Sequence, residues 1–153
     1  IGEDIWQYRY FVDNHVFAAD EGFTLFFDTH RFGLLQDPPP AVNADWDLLV
    51  YQPDEQLGDD GLYDALALTN DPSLDEPFIL SFIWRDAGSP GSQPFVLYGS
   101  DFQTLASGLT VPLSAATPMP LPPGGLLLGL GLAGLAIQRR LLPVEHGQRK
   151  SSG

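Results

Sequence analysis

Residues 121–137 form a run of 17 without a charge, and Gln138-Arg139-Arg140 closes it. Five of the 14 residues from 124 to 137 are glycine. Each glycine inside a helix in water costs about 1 kcal/mol relative to alanine, which disfavours a buried core helix here. Membrane helices tolerate glycine better, and Gly125 and Gly129 have the spacing that lets two helices approach closely. Fourteen residues give about 21 Å of helix, short of a hydrocarbon core of about 30 Å. Extension through Arg139 and Arg140, whose stems can snorkel, and through Leu141-Leu142 brings the length close to a span. The run therefore predicts one C-terminal transmembrane helix over 124–142, with Arg139 and Arg140 as its basic stop. Positive residues favour the cytoplasmic side, so the body is expected outside and 143–153 inside, as a cytoplasmic or disordered tail.

Charge divides the chain in the same place. Residues 1–117 hold 19 Asp and Glu against Arg9, Arg31 and Arg85, a net −16, whereas 118–153 hold four basic residues against Glu145, a net +3. A body this acidic repels phosphate backbones, so no nucleic acid is expected as a partner. The basic end suits anionic lipid headgroups. Cysteine is absent, which removes disulfides, thiolate nucleophiles and Cys-based metal sites from consideration. The opening Ile1-Gly2-Glu3 has no signal-peptide pattern and is compatible with a mature end after signal removal.

The body reads as strands. Trp6, Tyr8, Tyr10 and Val12 recur with period two, and Asp13-Asn14 follows as a turn. Further strands are predicted over 23–27, 46–52, 62–69, 77–84, 93–98 and 105–111, each bounded by turn-forming residues. The near-continuous apolarity of 77–84 predicts a central strand buried on both faces. Residues 31–43 contain Pro38-Pro39-Pro40 and are expected as a loop or crossover, since proline cannot donate to a ladder. About seven short strands and no amphipathic helix before residue 112 predict an all-β antiparallel sandwich, immunoglobulin-like or jelly-roll. The expected organisation is an acidic sandwich over 1–112 and a Pro-rich linker with its motif over 113–123. The membrane helix over 124–142 and the tail over 143–153 follow.

Few constellations suggest chemistry. Asp54, Asp59, Asp60 and Asp64, with Glu55 and two glycines, crowd one turn-rich window. Carboxylates at turns are what calcium needs, although the spacing is not that of an EF-hand, and a solvated acidic loop accounts for the same residues. Asp13-Asn14 with Asp20-Glu21 is a weaker ion candidate. His15, His30 and His146 form no spaced pair for a transition metal. Ser89, Ser92, Ser100 and Ser107 lie in turn contexts without a nucleophile elbow. With 19 carboxylates available, a glycosidase pair could be drawn anywhere and carries no information. Trp6, Trp46 and Trp84 could stack on sugars, but each sits within a predicted strand, which favours core packing.

The stretch Met119-Pro120-Leu121-Pro122-Pro123-Gly124-Gly125-Leu126-Leu127-Leu128, the apolar run and Arg139-Arg140 together resemble the VPLPA variant of the PEP-CTERM sorting signals. Met119 stands where that family usually has Val, Pro123 where it has Ala, and the chain runs further past the basic pair than is usual. The resemblance implies recognition of Met119, Pro120, Leu121, Pro122 and Pro123 by an exosortase-like membrane enzyme during export. It also implies an association with extracellular polysaccharide and biofilm matrix in Gram-negative bacteria. The body phrases Asp60-Gly61-Leu62-Tyr63-Asp64-Ala65 and Gly91-Ser92-Gln93-Pro94-Phe95 with Tyr98 are similar to domains found in front of such signals, which have no established enzymatic activity. The expectation is an exported, non-catalytic surface or matrix protein. Its alternatives are a carbohydrate-binding module on a membrane anchor and a fibre-forming subunit that associates with like subunits.

Overall fold

The structure, a computed structural model, describes residues 4–113 and the backbone of 135–139. Eight strands make the body: β1 (Asp4–Tyr10), β2 (Gly22–Phe27), β3 (Phe32–Leu35), β4 (Trp46–Tyr51), β5 (Gly61–Ala67), β6 (Phe78–Trp84), β7 (Pro94–Tyr98) and β8 (Thr104–Leu109). All pairings are antiparallel, in a three-stranded sheet β3-β6-β1 and a five-stranded sheet β4-β5-β2-β7-β8. A further segment, β9 (Leu135–Arg139), lies antiparallel along the outer edge of β1. There is no helix among the described residues. The all-β sandwich expected from the strand pattern is thus the architecture of the body.

Period-two alternation builds the core. Tyr8 and Tyr10 of β1, Phe23, Leu25 and Phe27 of β2, Tyr63 and Ala65 of β5, and Phe78, Leu80 and Phe82 of β6 are all buried between the sheets. Their rings meet edge to face across the layer, with Phe23 on Phe78 at 4.9 Å and 84° and Phe27 on Phe32 at 5.2 Å and 80°. Such geometry sets the positive ring edge against the negative ring face and adds about 0.5–1.5 kcal/mol per pair beyond burial. Phe17, in the β1–β2 connection, closes one end of the core against Trp46 at 5.1 Å.

The structure differs from the sequence expectation in two places. Residues 32–35, expected within a loop, form β3 and pair with β6 through Phe32↔Trp84 and Leu35↔Phe82. The amide of Gln52 takes both backbone groups of Leu35, accepting from its N–H and donating to its carbonyl, each at 2.8 Å. A side chain from β4's end thereby replaces a neighbouring strand. β6 is central as expected, but only one of its faces is core. Ile79, Ser81 and Ile83 on the other are half-buried, because no second layer among the described residues covers that face. Of the expected helix 124–142 only the backbone of 135–139 is described, as β9, and the rest lies outside the described residues.

Gly22 sits where a side chain has no room. A Cβ there would lie 2.3 Å from the carbonyl oxygen of Ala65 and 2.5 Å from the Tyr98 hydroxyl. Its absence lets the Tyr98 ring lie across β2 on the outward face of the five-stranded sheet.

Candidate interaction surfaces

The β4–β5 hairpin carries the acidic window. Asp54 and Asp59 exchange two backbone hydrogen bonds of 2.9 Å and close a tight loop. Gly58 turns that loop at φ +72°. The Asp54 Oδ1 accepts the N–H groups of Gln56 and Leu57 at 2.9 and 3.1 Å, an Asx turn that holds the loop in shape. Asp60 Oδ1 accepts the Thr29 N–H at 3.0 Å.

Asp64 points elsewhere. It lies mid-strand on the outward face of β5 and accepts from Thr24 Oγ1 at 2.6 Å and from the Tyr98 hydroxyl at 2.9 Å. Burial raises the Tyr98 pKa, and the Asp64 charge adds to the rise. The sequence window therefore does not become one site. Among the described residues no group of three His, Asp or Glu side chains is placed to hold a metal ion. The loop does border an open groove of about 660 Å³, with Phe26, Tyr51, Leu57 and Leu62 as apolar lining and Asp54, Asp59 and Asp60 as acidic lining.

His15 lies 4.0 Å from Glu21 and its ring packs edge-on against Phe17 at 4.3 Å. His30 is in the β2–β3 turn, exposed. The two are structural or solvated residues and form no pair. Trp46 is buried, and Trp6 and Trp84 are half-buried against the same core. The tryptophans thus make no exposed sugar platform. Ser89, Ser92 and Ser100 are exposed loop residues, and Ser107 is an exposed residue of β8.

Two features act in ways that the sequence pattern does not indicate. Gln93 is buried, and its amide joins the sheets: Nε2 donates to the Tyr8 hydroxyl at 2.9 Å, and Oε1 accepts from the Tyr10 hydroxyl at 3.0 Å. Tyr8 in turn donates to the Gly91 carbonyl at 2.8 Å. Thr110 completes the cluster by accepting the Gln93 N–H at 2.9 Å through Oγ1. The Gly91-Ser92-Gln93-Pro94-Phe95 phrase is a clamp between layers. The second feature is Phe102, which adopts φ +60° in the β7–β8 turn with 77% of its surface exposed. Its ring stacks on Tyr98 at 5.8 Å and 26°. A bulky residue in the left-handed region is sterically strained, and here it presents an aromatic face to solvent.

Met119, Pro120, Leu121, Pro122, Pro123 and Arg140 lie outside the described residues, as does His146. Arg139 is described only as backbone, paired with Trp6. Compared with protein-family models, with curated proteins and with solved structures, the chain matches none.

Proposed function

We propose that the chain is an exported, non-catalytic surface or matrix protein of a Gram-negative bacterium, addressed by the signal in residues 119–140. In this reading an exosortase-like enzyme recognises Met119 to Pro123 while 124–142 occupies the membrane and Arg139-Arg140 holds the cytoplasmic side. The sandwich then associates with extracellular polysaccharide or with like subunits. The observation that carries the reading is the division of the chain. The core cluster is drawn from residues 8–97, and Gln93 and Thr110 lock the last strands to β1. All the residues of the signal lie beyond that lock.

The buried Gln93 and Thr110 side chains hydrogen-bond within the fold and join its layers, which supports a structural use of these polar groups. The nested pairs β4·β5, β2·β7 and β3·β6 resemble the wrapping of a jelly roll more than that of an immunoglobulin sandwich. The reading is tested by the mass of the C-terminus after maturation in the native host, which should end between Pro120 and Gly125.

A second reading, sugar binding by the body, has support in the Phe102–Tyr98 stack rather than in the tryptophans. Phe102→Ala is expected to abolish retention on the host's own polysaccharide while leaving the fold intact. Unchanged retention contradicts it.

A further inference from the structure

The three-stranded sheet has two edges, and they end differently. At β3 the Gln52 amide occupies the backbone of Leu35. At β1, among residues 4–113, nothing pairs with the side away from β6, and the strand carries no proline, glycine or lysine to discourage another strand. β9 fills this edge, with Tyr10↔Leu135, Tyr8↔Ile137 and Trp6↔Arg139 in register.

The outward face beside that edge is also shielded. Tyr8 and Tyr10 face the core, so Gln7 and Arg9 face away from it, yet Gln7 is only 8% exposed. Gln7 Nε2 donates to Ser81 Oγ at 3.2 Å, while Gln7 Oε1 and Arg9 Nε are withdrawn from water without a partner among the described residues. Ile5, Leu34 and Ile83 line a shallow cavity of about 150 Å³ on this face. A sheet face with two isoleucines and buried amide oxygen is not one built for open water.

We propose that the β1 edge and the outward face of the β3-β6-β1 sheet are a dock for the chain's own tail. Leu135–Arg139 zips onto β1 in water and leaves it when a membrane takes the tail. Reach permits this. The 21 residues between 113 and 135 span up to about 70 Å extended, against about 20 Å across five strands. The two positions exclude each other, because the residues that zip onto β1 are the end of the apolar run and the first residue of its basic stop. An exported chain thus carries its own cover for a tail that would otherwise aggregate. The release step rests on the sorting reading, and the dock in water does not.

Hydrogen exchange of the β1 amides in the full chain tests the dock. Alternate amides from 4 to 10 face β6, and the others face β9. Both sets are expected to be protected in dilute buffer. Ile137→Pro/Gln138→Pro places a proline in each hydrogen-bonding phase of β9, and should speed exchange of the β9-facing set about tenfold or more. The β6-facing set should not change, which shows that the sandwich is still folded. Phosphatidylcholine vesicles added to the unsubstituted chain should release the same set as the tail partitions. Free exchange of the β9-facing set before any substitution, or no response to the prolines, overturns the dock. So does protection that rises with concentration alongside a dimer in light scattering, since a second copy would then supply the strand. Vesicle binding by a chain whose β9-facing amides were already open overturns the dock and leaves the sorting reading standing. Protected, proline-sensitive amides in a chain that ignores vesicles support the dock and overturn the membrane step.

Discussion

Gln93→Leu is expected to lower the unfolding free energy by about 3 kcal/mol, the largest effect of any single polar substitution in the body. The new side chain fills similar space but offers no polar atoms. Tyr8 keeps its hydrogen bond to Gly91, whereas the Tyr10 hydroxyl, wholly buried, loses its acceptor. An orphaned buried hydroxyl costs about 1–3 kcal/mol, and each further lost hydrogen bond about 1. Urea unfolding should show the shift in midpoint at constant slope, and Tm should fall by about 10–20 °C. Adding Tyr10→Phe to the variant should recover part of the loss, because the orphaned donor is then gone. A loss below about 1 kcal/mol, or no recovery, would show that the clamp does not join the sheets.

Alkali should unfold the protein cooperatively. Burial raises the pKa of Tyr8, Tyr10, Tyr63 and Tyr98 above the ordinary 10, with the Gln93 hydrogen bond opposing the rise at Tyr8 and neighbouring tyrosines adding to it at Tyr10. A raised tyrosine pKa means the folded chain holds a proton that the unfolded chain releases. Its contribution is therefore complete below pH 10 and is lost as pH climbs from 10 towards the folded value. Four such protons give a slope of up to about 5 kcal/mol per pH unit. Stability should collapse above pH 10. Tyrosinate absorbance from four of the five tyrosines should then appear together with loss of β-sheet circular dichroism. Four tyrosines that ionise gradually in a folded protein would contradict this picture.

Seven of the eight body strands were legible because their alternation is a local property. Trp6, Tyr8 and Tyr10, or Phe23, Leu25 and Phe27, announce a core face within one strand length. β3 was not, because Phe32-Gly33-Leu34-Leu35 is four residues long, precedes three prolines and owes its outer pairing to Gln52, 17 residues away. The same limit applies to the acidic window. Nearness in sequence put Asp64 with Asp54, Asp59 and Asp60, but strand pleat and register aim it at Thr24 and Tyr98 instead. The inward packing of the tryptophans followed from their positions in strands. Gln93 and Phe102 had no local signature: one acts through tyrosines more than 80 residues distant, the other through a backbone angle that its side chain does not encode. The β1 edge is a topological fact, visible only once β6 is known to cover the opposite side.

The address proposed for residues 119–140 is tested most directly on the C-terminus of the mature protein recovered from its native host. Mass spectrometry should find the chain ending between Pro120 and Gly125, with the apolar run and Arg139-Arg140 removed. A mature protein that still carries Arg149-Lys150 would contradict processing and reduce the tail to a plain anchor.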